Sequence, residues 1–443
     1  MSDEWLVAPG YEAVRDHFLA GSGSFGRGGG AYCAYVDGVP VVDMWGGKAR
    51  PGQPWQADTT TVIMSTSKGL AVLCVQILVD RGQLDLDQRV ADVWPEFAQN
   101  GKGEVTIRQV LGHTAGVLGF AGQSEITRHD GTGFDSYEQI SAGLAAAPLS
   151  WAPGTKHGYH ALSVGWLLAE IVLRVTGKTV GTFFRVEVAD PLGLHLRIGT
   201  PADELGRVAQ VYAVRTDYLP SFLRKTHDNA SAAMRDPNKM VGLAFLADGR
   251  SSGYDAAEVM FNNPAMLAAE FAAGGATADA RSLARLWAAM ANGGELDGVR
   301  LLSPESVDAW SIVVQREPDC TLAEVKTPRL AAGMAKAPVP RTIGYLGNSM
   351  VPGLGGRFGP NPEAYGAEGL GGQYGYCDAS SKIAVGYVRS ELALQDVLQS
   401  ALTSKVYACA RAQGHDVFQP PAQSRPAAAL GGYLRRRLAV PST

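Results

Sequence analysis

Residues 62–82 read VIMSTSKGLAVLCVQILVDRG, a stretch in which apolar residues predominate. Its length and its nearly unbroken run of apolar residues predict a buried helix from about Ser65 to Arg81. Gly82 follows as the stop signal, since glycine readily takes the left-handed conformation that ends helices. Four consecutive polar residues, 65–68, open the stretch and are the first place to look for chemistry.

Ser65 and Lys68 lie three positions apart, so on a helix they share one face. A serine hydroxyl becomes a nucleophile when a base takes its proton, and a lysine can assist when burial or nearby positive charge lowers its pKa. The alternative is that Ser65 caps the helix and Lys68 is a solvated surface residue. However, Lys68 is the only charged residue between Thr59 and Val79, and it lies at the positive end of the helix dipole. A cation in that position favours catalysis.

The composition is typical of a folded protein with two or three domain-sized units, since the chain has 443 residues, of which 46% are hydrophobic and 19% charged. Lys plus Arg number 39 and Asp plus Glu 43, which gives a net charge of −4. That balance argues against a nucleic-acid-binding or membrane-surface protein. The five cysteines are widely spaced without a Cys-x-x-Cys pair, which argues against a disulfide scaffold or a structural zinc site.

The start of the chain gives no sign of a targeting segment. Asp3 and Glu4 stand where a signal peptide needs positive charge, and no apolar region follows them. The longest apolar run, around residues 69–79, falls well short of the roughly 20 residues that span a bilayer. Together with the cysteine usage, these features predict a cytoplasmic protein with no membrane partner.

Strand patterns lie near both ends of the chain. The segment AYCAYVDGVPVVDMWGG (31–47) predicts a β-hairpin, because Asp37-Gly38 between two β-rich runs is a strong type I′ turn signal. Residues 278–307 predict a helix, a glycine-rich stop, a short hairpin and the start of another helix. Residues 365–390 predict two adjacent strands around a polar turn.

This order of patterns predicts an α+β protein in which an antiparallel sheet is built from both termini. Residues 1–90 and 275–413 are assigned to the sheet-containing domain, with a final helix at 391–413. Residues 91–274, mostly helical pattern and loop, form an inserted helical domain that carries substrate-site loops. Residues 414–443 are rich in Pro, Ala and Arg and form a tail.

Two further features are candidates for chemistry. Tyr159 follows a Trp-Ala-Pro-Gly turn and opens an apolar helix. A phenol can relay a proton when a neighbouring cation favours the phenolate, although a lone tyrosine in such a place is more often structural. The glycine-rich stretch AEGLGG (367–372) is predicted to enter a strand, where a backbone N–H can serve as an oxyanion donor. A bulge or tight turn is the alternative for that stretch.

Two histidines are further candidates for the site. His113, in the loop LGHTAG (111–116), is a candidate general base, although a buried hydrogen-bonded histidine is the favoured interpretation. His160 is predicted to lie near the substrate.

Several familiar motifs are absent or misleading. GSGSFG (21–26) matches G-x-G-x-x-G but follows a helix and precedes a strand, the reverse of the dinucleotide-binding order. The sequence has no G-x-S-x-G elbow, no H-E-x-x-H and no clustered ligand set for a catalytic metal.

Six stretches occur in an order and spacing that form a specific signature: VIMSTSKGL (62–70), VTIRQVLGHTAGV (105–117), APGTKHGYHALSVGWLLAEIVLRVTGK (152–178), PLGL (191–194), GGATADARSLARLWAAMANGG (274–294) and YGAEGLGGQYGYCD (365–378). On these motifs the chain resembles the serine β-lactamase and penicillin-binding superfamily from about residue 10 to about residue 400. Within it, the chain is most similar to the class C-like family VIII carboxylesterases. The resemblance implies a β-lactamase-like fold, an antiparallel sheet flanked by helices with an inserted, mostly helical domain.

The resemblance also implies roles for particular residues. Ser65 is the expected nucleophile, Lys68 its partner, and Tyr159 the tyrosine of the family's Tyr-x-Asn element. The oxyanion hole is then expected from the backbone N–H groups of Ser65 and Leu370. A second set is expected to contact the substrate: His160, Glu368 and Gly369.

Two departures from the family pattern bear on the substrate. Ala161 takes the place of the Tyr-x-Asn asparagine, so no side-chain amide is available for the acylamino group of a β-lactam. Ala367 takes the place of the Lys-Thr-Gly lysine, so the cation that meets an antibiotic's carboxylate is missing. Glu368 is expected to repel anionic substrates. These departures favour a neutral ester or lactone.

The combined prediction is a serine hydrolase that cleaves small-molecule carboxylic esters or lactones through an acyl-enzyme on Ser65. Lys68 and Tyr159 form the general base pair, and no cofactor or metal is expected. Amide, β-lactam or D-peptide hydrolysis, acyl transfer to a small alcohol, and a non-enzymatic binding protein with the same fold are the alternatives. The sequence predicts no oligomeric state.

Overall fold

The architecture is taken from a computed structural model, and the residues described are 4–217, 219, 221–245, 253–325, 339–351, 355–393 and 397–419. The α-helices in these ranges are α1 Glu12–Gly21, α2 Ser67–Asp80, α3 Val90–Val93, α4 Ile107–Leu111, α5 Gln123–Ile126, α6 Tyr137–Ala146, α7 Ser163–Thr176, α8 Val180–Phe184, α9 Asp190–Leu192, α10 Ser221–Arg235, α11 Met240–Ala244, α12 Gly253–Met260, α13 Pro264–Ala268, α14 Ala280–Ala291, α15 Pro304–Ser311 and α16 Val397–Ala412. The strands are β1 Leu6–Val7, β2 Gly29–Val36, β3 Val39–Arg50, β4 Gln53–Pro54, β5 Thr61–Val62, β6 Leu196–Arg197, β7 Thr277–Ala278, β8 Glu295–Leu296, β9 Val299–Arg300, β10 Leu346–Gly347, β11 Met350–Val351, β12 Gly355–Gly356, β13 Tyr365–Glu368, β14 Tyr374–Asp378 and β15 Ile383–Arg389.

An antiparallel sheet of eight strands organises the fold, in the order β1-β3-β2-β15-β14-β13-β10 with β4 beside β3. Strands from the two ends of the chain meet inside it, where Cys33 of β2 pairs with Gly386 of β15. The hairpin of β2 and β3 turns through Asp37 and Gly38, whose φ values of 49° and 76° are both positive, as a type I′ turn requires. The predicted antiparallel sheet with contributions from both termini is confirmed.

Helices cover both faces of this sheet. On one face α14 packs across β15 and β2. Its close approach depends on Gly386, because a Cβ there would lie 2.2 Å from the Ala280 carbonyl oxygen and 2.6 Å from the Ala284 nitrogen. On the other face, α1 and α16 pack together over an apolar cluster to which Phe18 and Leu402 belong. The sheet is therefore the middle layer of three.

Helix α2 lies inside the molecule, as predicted. It is buried from Ser67 to Leu78 and packs against α7 and α8 on one side and against β13 on another. Its start differs from the prediction, since Met64–Thr66 form a separate 3-10 turn and the α-helix begins only at Ser67. After the helix, Gly82 takes a φ of 67°, the conformation predicted for the stop.

The two adjacent strands predicted in residues 365–390 are present as β14 and β15, on either side of the polar turn at 379–382, but the segment also forms a third strand, β13, that was not predicted. Small residues at Gly366 and Ala367 leave β13 without the β-branched pattern that marks strands. It is nevertheless held on both sides by hydrogen bonding to β10 and β14. The glycine-rich stretch 367–372 therefore joins the end of β13 to the start of β14, so it leads into a strand as predicted and also contains the end of another.

The remaining predictions have mixed outcomes. The elements expected after residue 278 are confirmed as α14, β8, β9 and α15, whereas the final helix begins at Val397 and not at 391. Most of the predicted tail, residues 420–443, lies outside the described residues. The domain boundaries stay predictions. Within the described part of the chain, no helix is both long and apolar enough to cross a membrane.

Gly386→Ala is expected to destabilise the protein by about 1–3 kcal/mol, because the added methyl group must push α14 away from the sheet. Gly206→Ala is the matched control, since nothing lies within 4 Å of a Cβ at that exposed position. The midpoint of urea unfolding, followed by tryptophan fluorescence, measures the difference. Equal midpoints for the two variants would contradict the tight packing of α14 on the sheet.

Candidate functional site

The backbone around Ser65, in the 3-10 turn before α2, has an unusual conformation. Met64 has a positive φ of 48°, which costs a residue with a side chain roughly 1–3 kcal/mol. Two hydroxyl groups hold the turn: Ser67 Oγ donates to the Met64 carbonyl oxygen at 2.6 Å, and Thr66 Oγ1 donates to the Gln373 carbonyl oxygen at 3.1 Å. Ser65 is partly exposed between buried neighbours, and it lines a pocket.

The hydroxyl of Ser65 lies between the two side chains that the sequence pairs with it. Lys68 Nζ donates to Ser65 Oγ at 3.0 Å, and Tyr159 Oη donates to the same oxygen at 2.8 Å. Lys68 Nζ also donates to the Ala273 carbonyl oxygen at 2.7 Å and lies 5.0 Å from the centre of the Tyr159 ring. The three predicted side chains are therefore brought together at one oxygen atom.

Lys68 is the buried member of this group, with 8% of its surface exposed. Burial lowers its pKa because the charged form loses solvation, while Tyr159 acts in the opposite direction and Arg341 adds to the lowering. A lysine shifted in this way can reach the neutral form that accepts a proton. Since Lys68 and Tyr159 both donate to Ser65, one of them must first lose a proton before it can accept the proton of the serine.

Tyr159 is held in place by a loop that the sequence does not link to it. Asp319 Oδ1 accepts the backbone N–H of Tyr159 at 3.1 Å and also those of Thr321 and Leu322, each at 2.9 Å. The N–H of Cys320 donates to the His157 carbonyl oxygen at 2.9 Å. These bonds fasten the loop to the segment that presents the phenol.

His160 is fully buried, and both of its ring nitrogens are used inside the protein. Nδ1 bonds the Gly158 carbonyl oxygen at 2.7 Å, and Nε2 accepts the Val117 N–H at 3.1 Å. Because a carbonyl oxygen can only accept, the proton lies on Nδ1. The predicted contact of His160 with a substrate is not what the structure favours, since the ring fastens two loops and lies outside the described pocket wall.

His113 packs against Tyr159, with ring centres 5.3 Å apart. Its Nδ1 accepts the backbone N–H of His160 at 3.1 Å. Burial lowers the pKa of His113 well below its ordinary value, and Arg341 acts in the same direction. His113 is thus a buried, hydrogen-bonded histidine, the interpretation that the sequence favours.

The turn after β13 lies directly against the turn that holds Ser65. A Cβ on Gly369 would come within 2.4 Å of the Ile63 carbonyl oxygen, so only glycine fits there. The Gly369 N–H donates to the Gln373 carbonyl oxygen at 2.7 Å and closes the turn. Leu370 is the next residue, and the expected oxyanion role of its N–H stays a prediction.

A small pocket opens at Ser65, with about 300 Å³ of empty space that includes open solvent. Its wall includes residues of α2, β10 and β13: Ser65, Lys68, Gly69, His113, Tyr159, Arg341, Gly344, Leu346, Gly366, Ala367 and Glu368. The carboxylate of Glu368 is paired with Arg357, with Nη1 and Oε2 2.6 Å apart. The predicted repulsion of anionic substrates by Glu368 is therefore weakened by its own counter-ion.

Sequence reasoning missed the two arginines at this pocket, Arg341 and Arg357. Arg341 is 6% exposed, and its guanidinium carbon lies 5.4 Å from the centre of the Tyr159 ring. It reaches the pocket because its backbone pairs with that of Gln315, a residue 26 positions earlier in the chain. No motif marks either arginine, and the pairing joins segments without a clear strand pattern.

The described residues contain no group of three or more His, Cys, Asp or Glu side chains that could hold a metal ion. The five cysteines are all free. The side chains that line the pocket offer hydroxyl, amine, phenol and guanidinium groups.

Comparison with known proteins yields three findings. A sequence profile of the Beta-lactamase family matches residues 14–396. The esterase/β-lactamase LipL of Mycobacterium tuberculosis (strain ATCC 25618 / H37Rv) is 33% identical over 374 residues, which cover 82% of this chain and 77% of that protein. The crystal structures of a penicillin-binding protein homologue from Caulobacter crescentus and of a family VIII carboxylesterase match with TM-scores of 0.75 and 0.73, at 30% and 31% identity. Each match covers 92% of this chain and 100% of the other, which confirms the predicted β-lactamase-like fold.

The free energy of unfolding is expected to fall as the pH falls from about 6.5 towards 4. Burial lowers the pKa of His160 to about 4 and also lowers that of His157, so the unfolded chain takes up protons that the folded chain refuses. The effect of His160 alone lowers the free energy of unfolding by roughly 3 kcal/mol at about pH 4. Urea unfolding at several pH values measures it.

The interval from pH 6.5 to 5 is the informative part of that experiment, because most carboxylates titrate below it. His160→Gln should give a shallower dependence of stability on pH over this interval, although the variant itself is less stable. A wild-type free energy of unfolding that is constant from pH 6.5 to 5 would contradict the assignment of neutral buried histidines.

Proposed function

This chain belongs to the β-lactamase family, and we propose that it is a serine hydrolase that cleaves carboxylic esters through an acyl-enzyme on Ser65. The observation that carries the proposal is the pair of hydrogen bonds, at 3.0 and 2.8 Å, that Ser65 Oγ accepts from Lys68 and Tyr159. These distances suit direct proton transfer. Both partners line the same cavity as the serine.

In acylation, Ser65 Oγ attacks the ester carbonyl carbon, and the serine proton passes to the Lys68–Tyr159 pair. The negative charge on the carbonyl oxygen develops towards the backbone N–H groups of Ser65 and Leu370. Such donors are commonly worth about 3–4 kcal/mol each of transition-state stabilisation. When the bond to the alcohol oxygen breaks, the pair returns its proton to that oxygen, and the alcohol leaves.

In deacylation the same pair takes a proton from water, whose oxygen attacks the acyl carbon, and then returns the proton to Ser65 Oγ. Lys68 Nζ lies 5.0 Å from the centre of the Tyr159 ring, and both side chains donate to Ser65 Oγ, so we assign the base to the pair and not to one residue. Transfer of the acyl group to a small alcohol would follow the same course, with the alcohol in the place of water.

Esters are favoured over β-lactams because two side chains that the family uses to recognise β-lactams, the Tyr-x-Asn asparagine and the Lys-Thr-Gly lysine, are alanines here. Ala161 is buried beside Leu118 and Trp151 and offers a methyl group where the family has an amide. Ala367 likewise offers a methyl group, packed towards Gly69. Hydrolysis of a β-lactam or another amide is the second candidate, since the name of the mycobacterial relative includes both activities.

Ser65→Ala is expected to lower kcat/KM for p-nitrophenyl acetate by a factor of about 10³ or more, because the covalent route is lost. Ser404→Ala, at an exposed position on α16, is the matched control and should match the wild type. p-Nitrophenyl esters from acetate to octanoate, with nitrocefin alongside, measure activity and chain-length preference. Full esterase activity in Ser65→Ala would end the proposal, and nitrocefin turnover as fast as ester turnover would favour the second candidate.

Tyr159→Phe is expected to lower kcat by about 10²–10⁴-fold with a much smaller change in KM, since the phenol acts on the proton and not on substrate binding. Tyr212→Phe is the control, because that tyrosine stacks on Arg27 and is not part of the described pocket wall. Steady-state kinetics and labelling by a fluorophosphonate probe give the two readouts. Wild-type kcat in Tyr159→Phe would remove the phenol from the mechanism.

A further inference from the structure

Arg341 is a buried cation that forms no ion pair with any described residue. Its side chain lines the pocket and is 6% exposed. Among the described residues, Nε finds no hydrogen-bond partner, and no carboxylate comes within ion-pair distance of the guanidinium. The neighbouring Arg357 differs in this respect, because its charge is taken up by Glu368 at 2.6 Å.

Such an arrangement costs stability, since a buried charge is expensive unless it is paired and hydrogen-bonded. Burial lowers the pKa of Arg341, while Asp319 and Tyr159 act in the opposite direction. The group remains charged at neutral pH, because arginine is not deprotonated in proteins. Asp319 acts on Arg341 only from beyond ion-pair distance: its Oδ1 accepts three backbone N–H groups, and its buried Oδ2 has no hydrogen-bond partner among the described residues.

We propose that Arg341 binds a carboxylate of the substrate, so that the preferred esters are small ones that carry a free carboxylate a few bonds from the scissile carbonyl. This inference rests on the proposed ester hydrolysis and names its substrate class. A guanidinium presents a planar fork of N–H donors that matches the two oxygens of a carboxylate. An anion bound there supplies the missing counter-ion.

The geometry limits the size of such a substrate. The guanidinium carbon lies 5.4 Å from the centre of the Tyr159 ring, and Tyr159 Oη lies 2.8 Å from Ser65 Oγ. The carboxylate bound by Arg341 and the carbonyl attacked by Ser65 are therefore separated by no more than about the length of the Tyr159 side chain, which only a short substrate can span.

The charges around the pocket agree with an anionic ligand. Lys68 and Arg341 line it, and Glu368, the one carboxylate in the described wall, is neutralised by Arg357. The loss of the Lys-Thr-Gly cation at Ala367 predicts a neutral substrate, but Arg341 supplies a cation to the same pocket from the segment before β10. The expectation of a neutral ester is therefore revised to a half-ester.

The test compares charged and neutral esters of matched length by pH-stat titration at pH 7.5. Monoethyl glutarate against ethyl pentanoate places the carboxylate on the acyl half, and 3-acetoxypropionate against propyl acetate places it on the alcohol half. For one of the pairs, the wild type should prefer the charged ester at least tenfold in kcat/KM. The pair that shows the preference identifies which half of the ester carries the carboxylate.

Arg341→Met should reduce that charged-to-neutral ratio at least tenfold, and Arg341→Lys should give an intermediate ratio, because an ammonium keeps the charge but not the fork. Arg316→Met is the matched control, since it removes the same charge from an exposed residue beside Gln315. Arg341→Met should also unfold at the wild-type temperature or above it, because it removes an unpaired buried charge. Using the ratio as the readout cancels any general loss of activity.

Wild-type ratios near one for both pairs, or a ratio that Arg341→Met leaves unchanged, would overturn the inference and leave the esterase proposal standing. A wild type that hydrolyses no ester would overturn the esterase proposal instead. In that case binding alone decides the role of Arg341. Isothermal titration calorimetry of monoethyl glutarate into Ser65→Ala should show binding that Ser65→Ala/Arg341→Met loses, and equal binding or none in both would overturn the carboxylate site.

Discussion

The packing of Gly369 against the Ile63 carbonyl oxygen is the contact on which the site depends. It joins the end of β13 to the turn before α2 at a distance that no side chain at position 369 would permit. On the other side of that turn, Ser67 Oγ accepts the Ala276 N–H at 3.1 Å and donates to the carbonyl of the strained Met64. Because these contacts hold the turn from both sides, Ser65 keeps its position relative to the sheet.

Polar contacts likewise hold the phenol of Tyr159 in position. Asp319 holds its backbone, and the neutral rings of His113 and His160 back it within a network in which one ring nitrogen of His113 and both of His160 are bonded. A buried network that is satisfied in this way stiffens a site, whereas unsatisfied groups in it are costly. Around this network, Nε of Arg341, both ring nitrogens of His157 and Oδ2 of Asp319 have no hydrogen-bond partner among the described residues. Of these three residues, only Arg341 lines the described pocket, where a ligand could reach it.

Motif and spacing were enough to predict the parts of the site that short stretches of sequence encode. Ser65 and Lys68 are one helical turn apart, and Tyr159 follows a Pro-Gly turn, so these three residues could be named as candidates before their proximity was seen. Arg341 could not, because it reaches the pocket through pairing with Gln315 and no local pattern records that pairing. The same distinction applies to the fold. The β2–β3 hairpin could be predicted because its own turn defines it, whereas β13 could not, because its strand conformation depends on pairing with β10 and β14.

The sheet that joins the two ends of the chain has a consequence for synthesis. Cys33 in β2 pairs with Gly386 in β15, so one edge of the early hairpin stays open until nearly the whole chain has left the ribosome. At roughly 5–20 residues per second, that wait is on the order of tens of seconds. An unpaired strand edge is a template for association with other chains. The newly made protein therefore has a long interval in which chaperones, and not its own tertiary structure, must keep it from aggregating.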